Sequence, residues 1–272
     1  MSILHLSDPH FGTEQPQVVE ALVRLAAAQQ PRLLVLSGDI TQRARRSQFR
    51  SARRFVDRLG IADVLAIPGN HDIPLFNLAA RLFAPYGNHC GEFGTDLEPA
   101  FESGRLLVLT LNTTRRYRHK HGEVSPEQVE RVAARLARAS ADQLRIVVTH
   151  QPVAVTLDDD LRNLLRGREH AMRRWAEAGA DLILGGHIHL PFAVPLHERE
   201  PALTRPLWAV QAGTAVSSRV RRGVPNSVNL LRYEGAAGST GASRACLLER
   251  WDYAAAHGDF RQAASLDLPL AQ

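Results

Sequence analysis

Five short apolar runs, Ile3 to Leu6, Leu33 to Leu36, Val64 to Ile67, Ile146 to Val148 and Leu182 to Leu184, each lead into side chains of the kinds that bind metal ions. The pieces that follow them are Asp8-Pro9-His10, Gly38-Asp39, Gly69-Asn70-His71-Asp72, His150 and Gly186-His187-Ile188-His189. Runs this short, rich in leucine and β-branched residues and closed by glycine or polar residues, read as buried strands. If the strands share one sheet, the pieces lie at their C-terminal ends, the rim where open α/β sheets place ligands.

Helical periodicity alternates with these runs. Val18, Val19, Leu22 and Leu25 mark one helix, and Phe49, Ala52, Phe55, Val56 and Leu59 a second. A β-then-α rhythm implies parallel crossovers. Pro74 to Thr95 reads as helix and loop, and Leu106 to Leu111 as a strand ending at Asn112. Ser125-Pro126-Glu127-Gln128 then opens a helix: serine caps, proline takes the first helical position, and Gln128 lies three residues past the cap. A helix around Met172 to Ala178 and a strand from Leu207 to Val210 before Gly213-Thr214 continue the pattern. Val228 to Tyr233 and Ala245 to Tyr253 flank the small-residue segment Gly235 to Ser243 and predict a hairpin with a long flexible loop. No repeat or linker interrupts the chain, so the expectation is a single domain over 1–272, with a site-bearing core over 1–215 and a C-terminal hairpin extension over 216–272.

A chain of 272 residues that is 44% apolar can fill a sizeable core. It has no apolar run of about 18 residues, and it enters its first strand by Ile3 without a signal-like segment. A soluble, cytoplasmic protein is the resulting expectation. Cys90 and Cys246 are far apart and in no metal-binding or redox spacing, so they read as isolated thiols. The net charge of +5 suits an acidic partner: nucleic acid, a phosphorylated metabolite or an anionic membrane surface. Lys120 is the only lysine among 33 basic residues, so a general arginine bias explains the charge as well.

The pieces themselves carry recognisable chemistry. Alternate residues of an extended segment point the same way, so Asp8-x-His10 can put a carboxylate and an imidazole on one ion, and His187-x-His189 two imidazoles. Asp39 has two oxygens and suits a bridge between two ions. Asn70 offers a neutral oxygen where a second ion must be held without excess negative charge. A mixed nitrogen and oxygen set without thiolates favours Mn²⁺, Fe or Zn²⁺.

These residues, in this order, resemble the calcineurin-like metallophosphoesterase family, and within it the class III cyclic-nucleotide phosphodiesterase-like branch. The resemblance spans Asp8 to His189. It implies an α/β fold, a four-layer αββα sandwich of two mixed β-sheets flanked by helices. It also implies a dinuclear site, with Asp8, His10, Asp39 and His189 on one metal, Asp39 bridging, and Asn70, His150 and His187 completing the second. Mn²⁺ and Fe fit best, with Zn²⁺ an alternative.

Two divalent ions beside two carboxylates leave the cluster with about two positive charges, which attract a phosphate. The reaction implied is attack by a metal-bridging hydroxide on a small phosphodiester such as a 3′,5′-cyclic nucleotide, with His71 as general acid for the leaving alkoxide. In the phosphoprotein phosphatases of the family an aspartate pairs with that histidine, whereas Gln42 stands there in this chain. An amide can orient the imidazole but does not raise its pKa as a carboxylate would. This speaks against a phosphoprotein phosphatase.

The remaining candidates are assigned by position. Asp72 is expected to cap or to support the ligands, and His5 to be a packed core histidine; His89, His170, His197 and His257 match no motif and are expected on surfaces or loops. Arg115, Arg116, Arg118, His119, Lys120 and His121 occupy one loop after a strand end, and Arg219, Arg221 and Arg222 another. Either can reach a second phosphate or a nucleotide, or stand in solvent; Asn112 and Thr214 share the rim. Alternative substrates are a nucleotide-sugar or lipid pyrophosphate, a glycerophosphodiester and, less favoured, nucleic acid. A non-catalytic scaffold is the reading from a different class, opposed by the complete ligand set. The sequence is compatible with a dimer and does not fix the oligomeric state.

Overall fold

The structure is a computed structural model and describes residues 1–203, 205–221, 223–235 and 244–271. Arg222 and most of the loop expected between the last hairpin strands, residues 236–243, lie outside the described residues. The five motif-bearing runs form β1 (Ser2–Leu6), β2 (Leu33–Leu36), β3 (Asp63–Ala66), β6 (Leu144–Val148) and β7 (Leu182–Gly185). They are divided between two sheets. β1, β2 and β3 are parallel neighbours in the first, completed by antiparallel β10 (Ser227–Arg232), β11 (Ala245–Ala254) and β12 (Asp259–Pro269). β6 and β7 belong to the second, with β4 (Ala100–Glu102), β5 (Leu106–Thr110), β8 (Phe192–Pro195) and β9 (Trp208–Gln211), in the order β4-β5-β6-β7-β9-β8. Both sheets are mixed.

Alternation along the strands builds the layers. Ile3, Leu33 and Val35 face the second sheet and pack with Val108, Ile146 and Leu184. Leu4, Leu6, Leu34 and Leu36 face the other way, onto α1 (Pro16–Gln29) and α2 (Arg46–Leu59). On the far side α5 (Pro126–Leu136) and α6 (Arg168–Glu177) cover Leu107, Leu109, Val147 and Ile183. The result is the four-layer αββα sandwich. α5 begins as its sequence predicts: Ser125 Oγ accepts from the Gln128 N–H at 3.2 Å and Gln128 Oε1 from the Ser125 N–H at 3.0 Å, with Pro126 leading the helix.

Residues 216–272 supply three strands to the first sheet, and β10 lies directly against β1. Buried Arg244 ties this segment to the second sheet, donating to the carbonyl of Gln143 at 2.7 Å and to Asp181 at 3.1 Å. The antiparallel hairpin of β10 and β11 agrees with the sequence reading, but β12 was not anticipated. Its residues from Arg261 to Asp267 are all exposed, so it lacks the apolar alternation that marks a half-buried strand.

His5 is buried between the sheets, its Nε2 2.9 Å from Ser37 Oγ, as a packed core histidine. His89 corrects the surface assignment. It lies in α4 (Gly87–Phe93), fully buried beside Phe49 and Phe93, and among the described residues neither ring nitrogen has a partner. An imidazole passes for an apolar ring where its neighbours are aromatic, and only the packing reveals this. Burial lowers His89 from 6.5 to about 4. The unfolded chain therefore binds a proton below about pH 6.5 that the folded chain refuses until about pH 4, and stability falls as pH drops through that window. By pH 4 this removes about 3 kcal/mol. His89→Phe should flatten the acid side of the urea-denaturation stability profile by about this amount; an unchanged profile would refute the buried, unpaired imidazole.

Candidate metal centre

The strand ends of both sheets meet at one rim. Sheet one contributes Asp8 and His10 after β1, Asp39 after β2, and Asn70 and His71 in a 3₁₀ turn (Asn70–Asp72) after β3; sheet two contributes His150 after β6 and His187 and His189 after β7. The backbone turns sharply to aim these side chains inward. Asp8, His10, Asp39, His187 and His189 have φ of 52°, 42°, 48°, 73° and 57°, in the left-handed region that non-glycine residues rarely enter. Aspartate and histidine are among the side chains that tolerate it, and such strain gathers at functional sites. Space is equally constrained: a Cβ at Gly186 would collide with Ser7 Oγ and Asp8 Oδ2, and one at Gly69 with the backbone of Asp39.

Two candidate ligand groups result, Asp8 with His10 and His189, and Asp39 with His150 and His187; within each, the donor atoms lie within 4.8 Å of one another. In the first, His189 Nε2 is 3.2 Å from Asp8 Oδ1 and 3.1 Å from His10 Nε2, and His10 Nε2 is 3.7 Å from Asp8 Oδ1. In the second, His150 Nε2 is 3.3 Å from Asp39 Oδ1 and 3.3 Å from Asn70 Oδ1. Asp39 faces both groups, because its Oδ2 is 3.8 Å from His10 Nε2. Separations of this size match the edges of a coordination polyhedron: ligands about 2.1 Å from an ion are about 3.0 to 3.4 Å apart in octahedral or tetrahedral arrangement.

Outer hydrogen bonds orient the donors. Asp8 Oδ2 accepts from Ser7 Oγ at 2.6 Å and from the His187 N–H at 2.8 Å, while buried Oδ1 faces the imidazoles of His10 and His189 and has no hydrogen-bond partner among the described residues. His150 Nδ1 donates to the carbonyl of Ser37 at 2.8 Å and His189 Nδ1 to that of Arg219 at 2.5 Å, which turns each Nε2 toward the cluster, where it can ligate once its proton is lost. Neither ring nitrogen of buried His187 has a partner among the described residues, nor does Nδ1 of His10. Asp72 clamps the loop beneath. Its carboxylate accepts from the N–H groups of Gly69 at 2.9 Å, Ile40 at 2.9 Å and Thr41 at 2.8 Å, and from Thr41 Oγ1 at 2.8 Å, the supporting role expected for it.

The charges are coupled. Burial works to raise both Asp8 and Asp39, but neighbouring imidazoles, chiefly His189 for Asp8 and His150 for Asp39, hold them well below the usual carboxylate range. Burial works to lower His150, yet Asp39 beside it lifts it to about 9. Burial drives His10 and His187 down to about 3. Burial and the nearby Asp39 push Asp72 up to about 7, against its four donors.

The cluster opens into a cavity of about 910 Å³. His71 stands at its edge, its ring 4.9 Å from that of His10 and its N–H donating to Asp39 Oδ1 at 2.7 Å. Gln42 does support His71, but through its main chain: His71 Nδ1 is 3.1 Å from the Gln42 carbonyl. The Gln42 side chain instead accepts from Arg219 Nη1 at 2.9 Å, and the same Nη1 is 3.2 Å from His71 Nε2.

Of the basic loop, only His119 and Lys120 line this cavity. Arg115 and Arg118 pair with Glu123, and Arg116 donates to the carbonyl of Leu82 at 2.6 Å. Arg219 and Arg221 do reach the cavity, Arg221 paired with Asp160 at 2.6 Å. Thr214 contacts the Arg219 carbonyl, and Asn112 turns to Thr114, so neither lines it. Sequence reasoning did not anticipate Asp159, Asp160, Arg162 and Asn163, which also line the cavity. They occupy a 3₁₀ segment (Asp158–Asn163) with no motif to mark it.

Comparison with known proteins agrees with this geometry. The chain is 26% identical over 204 residues to a probable cyclic nucleotide phosphodiesterase of Rhodococcus erythropolis, covering 69% of this chain and 64% of that protein. It is 30% identical over 189 residues to the serine/threonine-protein phosphatase CPPED1 of Danio rerio, covering 64% and 58%. The chain thus spans about three fifths of the length of these relatives. In fold it is similar to the crystal structure of a dimetal phosphatase from Danio rerio, with a TM-score of 0.64 and 12% identity over 100% of this chain and 99% of that one. Residues 1–191 match the model of the calcineurin-like phosphoesterases, and with the sandwich and its shared rim this establishes that the chain belongs to the calcineurin-like phosphoesterase family.

Proposed function

We propose that the protein is a two-metal phosphodiesterase acting on a small phosphodiester such as a 3′,5′-cyclic nucleotide. The observation that carries this reading is Asp39, whose two oxygens face two separate groups of inward-aimed donors. Asp8, His10, Asp39 and His189 would hold one ion, and Asp39, Asn70, His150 and His187 the other. The donor set fits: Asp8 Oδ1 is buried beside the imidazoles of His10 and His189, and among the described residues neither nitrogen of buried His187 has a hydrogen-bond partner, which leaves one free to ligate. The absence of thiolates and the share of imidazoles suit Mn²⁺ or Fe, and also Zn²⁺. When bound, two such ions supply positive charge to phosphoryl oxygens and acidify a water to a nucleophile.

The chain's own residues then manage the leaving group. With Nδ1 donating to the Gln42 carbonyl, a second proton on His71, which lines the cavity, would sit on Nε2. From there it can protonate a departing alkoxide. Arg219 can donate only to an unprotonated Nε2, so the acid form requires this guanidinium to leave His71. A phosphoryl oxygen in the cavity offers it a stronger, charge-assisted acceptor.

The relative named as a probable cyclic nucleotide phosphodiesterase supports the diester reading. The relative named as a serine/threonine-protein phosphatase favours, as a second reading, a phosphomonoester substrate, which Gln42 in place of an aspartate opposes. Mn²⁺-loaded protein should be assayed on cyclic nucleotides, bis(p-nitrophenyl) phosphate, a UDP-sugar, a glycerophosphodiester, single-stranded DNA and a phosphopeptide. Turnover of the phosphopeptide alone would select the second reading, and no turnover with two ions bound would reject hydrolysis altogether.

Asp39→Ala should lower the metal content measured by mass spectrometry from two ions per chain to one or none, with activity down roughly a hundredfold or more. Two retained ions with full activity would disprove the bridge. His71→Ala should keep both ions and lose roughly 10²- to 10⁴-fold in kcat on alkyl diesters, but much less on p-nitrophenyl esters, whose leaving group needs no proton. Equal losses on both would exclude the acid role.

A further inference from the structure

Of the nine large apolar side chains exposed among the described residues, five lie on residues 76–83 and the 115–121 loop, beside the mouth of the metal centre. Phe76 is 80% exposed, Leu78 68%, Leu82 55%, Phe83 87% and Tyr117 68%. Single exposed apolar residues are ordinary, whereas a contiguous group marks an interaction surface. This group forms one lip of the site: Ile73 and Leu75, just before Phe76, line a small cavity with His71 and His119.

The lip is built around α3 (Leu78–Phe83), a helix with no buried residue. A helix this short does not hold itself together in water. Polar straps hold it: Asn77 Oδ1 accepts from the Ala80 N–H at 3.0 Å, Arg81 donates to the carbonyls of Pro74 at 3.1 Å and Arg118 at 2.7 Å, and Arg116 donates to that of Leu82 at 2.6 Å. Because the straps end on neutral carbonyls, Arg81 and Arg116 keep their charge. Arg43 lies 5.6 Å from the centre of the Phe76 ring, and Lys120 follows on the same loop as Arg116. Glu123, the carboxylate of this loop, is taken by Arg115 and Arg118. Arg43, Arg81, Arg116 and Lys120 make no ion pair among the described residues.

We propose that α3 and the 115–121 loop dock the protein on an anionic lipid bilayer. Aromatic and leucine side chains ringed by basic residues match the boundary between acyl chains and anionic headgroups. A second copy of this chain, meeting it through the same lip, would set the four cations against their own images. The acidic 158–160 run borders the same cavity as Lys120, and Asp160, the carboxylate that acts on Lys120, is paired with Arg221 at 2.6 Å.

The test is co-sedimentation with vesicles, which requires neither metal nor turnover, so its failure is separate from failure of the hydrolase reading. The wild-type protein should bind vesicles of phosphatidylcholine mixed with phosphatidylglycerol, lose binding as salt rises, and stay free of pure phosphatidylcholine. Phe76→Ser combined with Phe83→Ser should weaken binding at least about tenfold, and Arg43→Glu by roughly tenfold, with melting temperatures unchanged. Wild-type protein remaining in the supernatant with the mixed vesicles, equal binding by the double variant, or equal binding to uncharged vesicles would overturn the proposal. So would light scattering that finds a dimer which the double substitution dissolves, since the lip would then serve a second copy.

Discussion

Two carboxylates and four imidazoles, all but His189 buried, meet at one rim in an arrangement that side chains alone balance poorly. Unit charges of like sign about 4 Å apart repel by about 4 kcal/mol even at an effective dielectric constant of 20, and burial removes the water that would screen them. In the protein by itself the balance is struck by protons, with Asp39 lifting His150 to about 9 while burial keeps His10 and His187 neutral. Cations at the two proposed sites would replace those protons, and metal binding would then be coupled to proton release. The left-handed turns at Asp8, His10, Asp39, His187 and His189 follow from the same demand, each of order 1 to 3 kcal/mol. The surrounding sandwich must be stable enough to hold them.

The sandwich does so by dividing the task. Each sheet supplies part of both ligand groups: Asp8 and His10 from one meet His189 from the other, and Asp39 meets His150 and His187. Neither sheet has a site alone. The layer of leucine, isoleucine and valine between them therefore sets the distances at the rim, and buried Arg244 and Asp181 fasten the sheets at a second place. Asp72 does the local work, joining the turn after β3 to the one after β2 through four hydrogen bonds.

Around this fixed centre the loops differ in what holds them. Arg219 is anchored by its own carbonyl on His189 and by Gln42, so it is part of the rim. The 115–121 loop and α3 are joined mainly through arginine side chains and backbone carbonyls. Segments held in this way carry apolar residues outward without exposing backbone groups, which separates the chemistry of the centre from the surface that surrounds it.

Much of this was legible in the chain. Short apolar runs ending in Asp, Asn and His announced strands and donors together, because a strand that is buried on both faces has few residue choices and its end is where the pattern breaks. The helices α1, α2 and α5 showed their buried faces through simple periodicity. Less was legible where polarity and burial part company. His89 is polar but packed among aromatic rings, β12 is a strand with an exposed surface, and the 158–163 wall has no motif. The sequence by itself determined the family, the strand order along the chain and the kinds of donor, since these reside in residue identity and spacing. Only the tertiary structure decided that the donors divide between two sheets, that Asp39 faces both groups, that Gln42 acts through its carbonyl and that Arg219 rather than Arg115 reaches His71. Those are distances between residues far apart in the chain, and distances of that kind are set by how the two sheets pack.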